Sequence, residues 1–397
     1  MKATKRIMAT VVALLMLAGC TVGLSSCKDK TKTPPIDPET GLMELYIGGI
    51  GPTTGDYSNY GSSVKKGAQI AVNEINAAGG FNGFKIKFDF QDSQGDPDSA
   101  VSAFGKQMDE GMMVSLGATF SGETASVVAA AKDDGILILT PSASSVNAIA
   151  GSDTAFRVCF SDPYQGIASA QYVRDYNLGT KVAVFYGSDN DYCVGLYDNF
   201  KDECAKLGIE IVTVQAFTES TNTDFSAQIN AIKASGADVV FMPIYAAEAA
   251  SFLTQAAGKL DGIKFFGCDG LDGLLTKISD VKYANGVLML TPFTADSDND
   301  KVKSFVAAYS AAYNGEIPDQ FAADGYDAIY TIVAAIKKAG LNSEDLENFN
   351  SRIVAAMTQI TVEGLTGTMQ WTADGETTKA AKLMVFDNGK VIAYNKN

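Results

Sequence analysis

The alternation of strand and helix patterns along the chain is the feature that most constrains its fold. From Glu44 onward, short apolar or alternating runs that predict strands are followed by segments with apolar residues at helical spacing. The first unit is a buried strand over 44–50, a helix that ends at Gly79-Gly80, and a strictly alternating strand over 84–90. Repeated strand–helix–strand units predict mainly parallel sheets with helices on both faces.

This pattern restarts after Ser161-Asp162-Pro163, and the restart predicts a second α/β lobe of similar size. The predicted strands of this lobe are 181–186, 210–217, 238–244 and 264–268, separated by helices near 192–207, 224–235 and 246–257. The last third of the chain predicts three helices and only short strands, too few for a sheet of its own. It must therefore complete both lobes, so the chain crosses between them more than once. We expect lobe 1 to comprise residues 44–160 plus 291–372 and lobe 2 residues 161–290 plus 373–397.

The 397-residue chain contains no histidine, and this absence narrows its possible functions. It removes His-based acid–base catalysis, the Ser-His-Asp and Cys-His nucleophile systems and every His-ligated metal site. The GxSxG, GK[ST] and HExxH motifs are also absent. The net charge of −15 disfavours a nucleic-acid partner, which requires clustered Lys and Arg. We therefore expect no enzymatic activity, no metal and no cofactor.

The first 27 residues have the three-part layout of a bacterial export signal. A positively charged start precedes a largely apolar run over 7–18, and Leu17-Ala18-Gly19-Cys20 then resembles a lipobox, whose cysteine receives a lipid. A second sequence of this kind ends at Cys27. We expect lipidation at Cys20, with Cys27 as the alternative. The competing interpretation is an uncleaved anchor helix, because residues 7–26 carry no charge. Both interpretations place the rest of the chain outside the cytoplasm.

Residues 28–43 are rich in Lys, Thr and Pro, which predicts a flexible stalk that holds the lobes away from a membrane. No later segment is a long uncharged apolar run, so nothing else is expected to span a membrane. Four cysteines follow the stalk, and none has the CxxC spacing of metal or redox sites. We expect these four to be buried thiols: Cys159, Cys193, Cys204 and Cys268.

Ligands of open α/β sheets bind beyond the carboxyl ends of the strands, so the residues at those ends are the candidates for a site. In the first lobe, hydroxyl-bearing and small residues follow the strands, and we select Ser121, Ser142 and Ser144. Hydroxyls and backbone N–H groups at helix starts suit an anion such as a carboxylate. Each serine alone is also typical of a helix N-cap. The prediction therefore depends on their recurrence at the same end of successive strands.

The second lobe offers the opposite chemistry at the ends of its strands. Tyr192, Tyr245 and the carboxylate of Asp269 stand there, and an acid beside aromatic rings suits a cation. A zwitterion held between the lobes would satisfy both sets of residues. The alternatives are that Asp269, which precedes a glycine, is a turn residue and that the tyrosines are ordinary aromatic residues at the rim.

Several motifs occur in an order that resembles the leucine/isoleucine/valine-binding protein family, over about residues 44–397. They are Gly51-Pro52-Thr53-Thr54-Gly55, Gly67-Ala68, Asn73-Glu74-Ile75-Asn76, Asp134-Gly135-Ile136, Asp224-Phe225 and Gly325-Tyr326-Asp327-Ala328. The resemblance implies a two-lobed type I periplasmic-binding-protein fold in which crossover segments form a hinge. It also implies the substrate-binding component of an ABC importer, with an amino acid of the branched-chain type as its ligand.

The resemblance further implies individual roles for residues of the cleft. Ser121 matches a serine that binds the ligand carboxylate, and Asp269 matches an acid that pairs with the ammonium group. The segment Ser142-Ala143-Ser144 matches the one that grips both groups, through backbone and hydroxyl. Tyr60 matches an aromatic residue of the side-chain pocket, and Tyr192 and Tyr245 match tyrosines of the closing lobe. Phe120 adjoins the pocket and replaces a cysteine that the family uses elsewhere in a disulfide.

These inferences predict the partners of the chain. We expect a free amino acid as ligand, the permease subunits of an ABC transporter as protein partners, a lipid anchor and a monomeric state. The alternative function is a sensing module that presents an amino acid, an amide or a urea-like compound to a receptor, and no residue of the sequence discriminates it from transport.

Overall fold

Two separate sheets flanked by helices form the framework of residues 34–394, the part of the chain that the computed structural model describes. The predicted export signal, with Cys20 and Cys27, lies outside the described residues. None of the helices within residues 34–394 is both long and apolar enough to cross a membrane.

The first sheet has five parallel strands in the order β2-β1-β3-β4-β5. In chain order they are β1 (Met43–Gly51), β2 (Phe84–Asp92), β3 (Val114–Ala118), β4 (Ile138–Thr140) and β5 (Ala155–Arg157). The helices that connect the first four strands are α1 (Ser58–Ala77), α2 (Pro97–Asp109) and α3 (Ser121–Ala130). The register of β1 against β2 is continuous over all nine residues, which fixes the position of the loop that follows β1.

The second sheet begins after α4 (Asp162–Asp175) with five strands that all run parallel. They are β6 (Lys181–Gly187), β7 (Glu210–Phe217), β8 (Val239–Met242), β9 (Lys264–Gly267) and β10 (Leu288–Thr291). The intervening helices are α5 (Asp191–Leu207), α6 (Ser226–Ser235), α7 (Ala246–Ala256) and the short α8 (Leu274–Lys277).

The last third of the chain contributes to both lobes. It contains α9 (Asp300–Ala312), α10 (Gln320–Lys338), α11 (Phe349–Met357), a hairpin of β11 (Thr361–Glu363) and β12 (Thr368–Gln370), and finally β13 (Lys382–Asp387) and β14 (Lys390–Ala393). The last two strands join the second sheet antiparallel to their neighbours, giving the order β14-β13-β10-β9-β8-β6-β7. Helix α10 instead packs on α1 beside the first sheet.

The contact between α1 and α10 depends on two glycines. A Cβ atom at Gly67 would overlap the carbonyl oxygen of Ala322, and one at Gly325 would overlap the carbonyl oxygen of Val64. Each glycine therefore lets the facing helix approach to backbone contact. Through this contact the last third of the chain completes the first lobe.

The predicted two-lobed α/β fold is confirmed, with differences in detail. Helix α4 was not predicted, because its buried face includes the polar residues Gln165 and Ser169. The apolar residues at helical spacing that normally indicate a buried helix face are therefore incomplete. Strand β5 was not predicted because three residues are too few to show alternation. The four cysteines of the described region are buried free thiols, as expected.

Residues 34–43, which the sequence assigns to the stalk, include an ordered turn. The Asp37 side chain accepts the backbone N–H groups of Glu39 and Thr40, and it pairs with the ammonium group of Lys85 on β2. Ile36 forms a bridge with Met43 at the start of β1. This part of the chain therefore packs on the first lobe.

Candidate ligand-binding cleft

One cavity between the lobes collects residues from the carboxyl ends of strands in both sheets, where α/β folds bind ligands. Its lining consists of Thr119, Phe120, Ser121, Ser142, Ser144, Tyr192, Tyr245, Asp269, Gly270 and Phe321. The space between these residues, its open side included, is about 250 Å³.

The lobe 1 wall is built from hydroxyl groups at the start of α3. Ser121 is the first residue of that helix, where unpaired N–H groups and the helix dipole favour an anion. Its Oγ accepts the N–H of Ser145 at 3.2 Å and keeps its own proton available for a ligand. The Ser142 hydroxyl instead donates to the carbonyl oxygen of Thr119 at 2.7 Å. Its backbone therefore remains the part of Ser142 that can serve a ligand.

A fully buried arginine fixes the loop that carries these serines. The Arg157 guanidinium donates to the carbonyl oxygens of Ala143 and Ser145, both at 2.9 Å, and lies 3.2 Å from the carboxylate of Glu376. The two carbonyls flank Ser144, so Arg157 sets the position of that hydroxyl. Arg157 was not among the predicted residues, because β5 gave no signal in the sequence.

The lobe 2 wall presents a buried carboxylate. Asp269 follows β9 and is 2% exposed, and the Tyr192 hydroxyl donates to its Oδ1 at 2.7 Å. Burial raises the pKa of the Asp269 carboxyl to about 6, because the charged form loses its water; the bond from Tyr192 opposes part of this rise. A cation placed beside Asp269 would restore the charged form.

The Tyr192 hydroxyl also accepts the N–H of Gly270 at 2.8 Å. A Cβ atom at residue 270 would lie 2.6 Å from that hydroxyl, so only glycine fits there. The Tyr192 ring stacks on Tyr245, with centroids 4.9 Å apart. This packing holds the acid and both tyrosines in one arrangement.

Side chains of lobe 1 bond directly to lobe 2, so the lobes are closed on each other. The Tyr60 hydroxyl donates to the carbonyl oxygen of Gly270 at 2.6 Å and accepts the N–H of Ala246 at 2.8 Å. The Tyr57 hydroxyl donates to a carboxylate oxygen of Glu248 at 2.5 Å. Each bond joins a residue near the start of α1 to a residue of the second lobe.

The structure brings the nine predicted residues together, seven of them on the cavity wall. The other two support it from behind: Tyr60 packs on Phe120 and Phe321 with centroids 5.4 and 4.8 Å apart, and Ala143 lies in the loop that Arg157 holds. Sequence reasoning missed Thr119, Gly270 and Phe321. The first two adjoin predicted residues, whereas Phe321 lies on a helix far along the chain and carries no local signal.

Asp162, at the start of α4, was also missed. It is 1% exposed, and burial raises the pKa of its carboxyl well above the ordinary value, with the charge of Asp269 adding to the rise. Two buried acids thus lie near one end of the cleft. Within residues 34–394 there is no group of three or more Cys, Asp or Glu side chains arranged to hold a metal ion.

A sequence model of the family described as "Periplasmic binding protein" matches residues 44–390. The chain belongs to the periplasmic binding protein family. This family is extracytoplasmic and binds substrates for transport. The resemblance that the sequence motifs carried is thereby confirmed.

Relatives of this periplasmic binding protein cover most of its length. It is 30% identical to Leu/Ile/Val-binding protein homolog 3 of Brucella melitensis biotype 1, over 88% of this chain and 93% of that one. It is 31% identical to the Leu/Ile/Val-binding protein BraC3 of Rhizobium johnstonii, over 88% and 94%. Among solved structures, it is similar to the branched-chain amino acid transporter substrate-binding protein LivJ of Streptococcus pneumoniae in complex with isoleucine. That match has a TM-score of 0.79 and 30% identity, over 88% of this chain and 97% of that chain.

Proposed function

We propose that this protein captures a free α-amino acid of the branched-chain type between its lobes and delivers it to the permease of an ABC transporter. The observation that carries the proposal is that the two walls of one cavity suit groups of opposite charge. Hydroxyls at a helix start line the lobe 1 side, and the buried Asp269 carboxylate lines the lobe 2 side. The α-carboxylate and α-ammonium groups of an amino acid complement these two walls.

Burial makes the recognition of both groups strong. A charge-assisted hydrogen bond contributes more free energy than a neutral one, and truncating one partner of a buried pair leaves the other uncompensated. We assign the carboxylate to Ser121 and to the Ser142–Ser144 loop, and the ammonium group to Asp269 and the Ser144 hydroxyl. Phe120 and Tyr245 flank the side chain, and Tyr60 supports Phe120 from behind.

Closure links binding to the shape of the molecule. The family's two lobes move about their crossover segments, and hinge closure of periplasmic binding proteins is a known form of conformational change. The bonds of Tyr60 to Gly270 and Ala246 form only when the lobes meet. A ligand that bridges Ser121 and Asp269 stabilises that closed state, which we propose the permease recognises.

Calorimetry with matched ligands tests the proposal. We expect leucine, isoleucine or valine to bind at micromolar concentration or below, an affinity of about −8 kcal/mol or stronger. Leucinamide, which lacks the carboxylate, and 4-methylpentanoate, which lacks the ammonium group, should each bind at least tenfold more weakly. Asp269→Asn should lower the affinity for leucine by a similar factor. Glu210→Gln also removes one negative charge, but at an exposed position, and should leave the affinity for leucine unchanged. Equal binding of leucine and 4-methylpentanoate would contradict the role of Asp269.

We also propose that the protein is a monomeric lipoprotein, attached through Cys20 or alternatively Cys27 and held off the membrane by the stalk that precedes the first lobe. The lobe boundaries 44–160 plus 291–372 and 161–290 plus 373–397 are part of this proposal, and the sheet memberships of β1–β5 and β6–β10 with β13–β14 support them. Intact mass of the membrane-extracted protein, compared between Cys20→Ala and Cys27→Ala, identifies the lipidated residue. Light scattering of the protein without residues 1–27 gives its oligomeric state.

A further inference from the structure

A second, larger cavity lies beside the first one. It measures about 590 Å³, its open side included, and it shares two lining residues, Phe120 and Tyr245, with the first cavity. The ring centroids of these two residues are 5.0 Å apart. The two cavities therefore adjoin each other at this aromatic pair.

The lining of the second cavity is acidic. Three carboxylates line it, from Asp189, Glu219 and Glu248, and no Lys or Arg of the described chain is among its lining residues. Aromatic rings of Tyr57, Phe217 and Tyr245 complete the wall. Carboxylates and the faces of aromatic rings both attract cations.

Glu248 distinguishes this cavity from an ordinary acidic surface. The residue is only 4% exposed, and its two carboxylate oxygens have different surroundings. Oε1 accepts the Tyr57 hydroxyl at 2.5 Å and the side-chain amide of Asn222 at 3.4 Å, whereas Oε2 is buried and has no hydrogen-bond partner in the protein. Burial raises the pKa of the Glu248 carboxyl, which is the sign of a charge that lacks compensation.

We propose that the second cavity receives a cationic group at the far end of the ligand, so that the cleft also accepts α-amino acids whose unbranched side chains end in an ammonium or guanidinium group. Lysine, ornithine and arginine are members of this class. The inference rests on the proposed function, because the α-carboxylate and α-ammonium groups occupy the first cavity. Glu248 Oε2 accepts the hydrogen bond of the distal cation, and Asp189 and Glu219 add favourable charge at the exposed side.

The experiment compares lysine with norleucine, which has the same number of side-chain carbons and no distal charge. Calorimetry is carried out on protein that has been unfolded and refolded to remove carried-over ligand. Because a hydrogen bond to a charged group contributes about 1.5–3 kcal/mol, we expect lysine to bind about ten- to hundredfold more tightly than norleucine. In Glu248→Gln, which retains an acceptor for Tyr57, this ratio should fall below about threefold.

Two further variants separate the possible results. Glu210→Gln removes one negative charge at an exposed position and should leave the lysine-to-norleucine ratio unchanged. Asp189→Asn with Glu219→Gln keeps Glu248 and should lower the ratio partially; it also provides the test if Glu248→Gln fails to refold, as judged by circular dichroism.

Leucine binding without any preference for lysine over norleucine would overturn this inference and leave the proposed function intact. A preference that persists in both acidic-cavity variants would also overturn it. Failure of leucine, norleucine and lysine alike to bind would instead refute the proposed function, and with it the basis of the inference.

Discussion

Tyr60 in the first lobe and Gly270 in the second are joined by a 2.6 Å hydrogen bond from the tyrosine hydroxyl to the glycine carbonyl. Gly270 directly follows Asp269, the acid to which we assign the ammonium group of the ligand. The same hydroxyl accepts the N–H of Ala246, the first residue of α7. One buried phenol thus connects the side-chain pocket, the acid and the closing lobe.

Removing the hydroxyl should therefore weaken ligand binding more than folding. In Tyr60→Phe the closed state loses two hydrogen bonds, whereas in the open state water can satisfy Gly270 and Ala246. We expect leucine affinity to fall about 5- to 30-fold, the equivalent of about 1–2 kcal/mol. Calorimetry measures the loss, and small-angle scattering should show a smaller fraction of closed molecules at saturating ligand. Tyr186→Phe, in a ring pair away from the cleft, is the matched control.

Asp269→Asn should stabilise the ligand-free protein at neutral pH while it impairs binding. The folded-state pKa of Asp269, about 6, is raised above the ordinary value of 3.8. Its contribution to stability is therefore fully present below about pH 4 and is lost as the pH rises through 6. We expect the free energy of unfolding of the variant to exceed that of wild type by about 1–3 kcal/mol at pH 7.5. At pH 4 the two free energies of unfolding should be nearly equal. Urea unfolding of ligand-free protein at both pH values provides the measurement, and a difference that does not change with pH would contradict the assigned pKa.

Single substitutions in a buried ion pair, located where the chain returns to the second lobe, should lower the free energy of unfolding. The Lys379 ammonium group lies 2.8 Å from the carboxylate of Asp324 on α10, and both side chains are fully buried. Lys379→Met leaves a buried charge without its partner, so we expect a loss of about 3–5 kcal/mol in the free energy of unfolding. Lys379→Met combined with Asp324→Leu should recover most of it.

The control for this pair is an exposed one. The Lys282 ammonium group lies 2.7 Å from the Asp280 carboxylate, but both side chains are exposed. Lys282→Met should therefore change the free energy of unfolding by less than about 1 kcal/mol. Urea unfolding of the four proteins is sufficient. If the single and double variants at 379 and 324 are equally destabilised, the loss of packing and not the unpaired charge is responsible.

Arg157→Lys should weaken binding although it keeps the charge. An ammonium group cannot reproduce the two-pronged contact of the guanidinium with the carbonyls of Ala143 and Ser145, so the loop around Ser144 loses one of its fixed points. We expect leucine affinity to fall about tenfold, from the loss of roughly one hydrogen bond to a charged group. Arg174→Lys at an exposed site should bind like wild type, and equal affinities for both lysine variants would argue against a positioning role for Arg157.

Local patterns predicted most of the fold, because each regular element carries its own period. The strand over 210–217 and the helix over 97–109 have the predicted bounds. Helix α4 was missed because Gln165 and Ser169 are buried there as polar residues. Gln165 accepts the N–H of Asp269, a contact between segments far apart in the chain that no local pattern records.

The candidate site was predictable to the extent that it follows strand ends. Serines and the acid stand directly after strands, so the topology alone brings them to one place. Arg157 lies on a three-residue strand, and Phe321 lies on a helix far along the chain. No local sequence pattern indicates that either residue belongs to the cleft. Glu248 was missed for a different reason: on a helix surface an acid usually faces water, and only the packing of Tyr57 and Asn222 around it reveals its burial.

The glycine contact between α1 and α10 has a consequence for biosynthesis. Gly67 and Gly325 stand near opposite ends of the chain, so a ribosome that has completed the first sheet has not yet made the helix that covers α1. Contacts between such distant segments form slowly, and the apolar face of α1 remains uncovered until the last third of the polypeptide emerges.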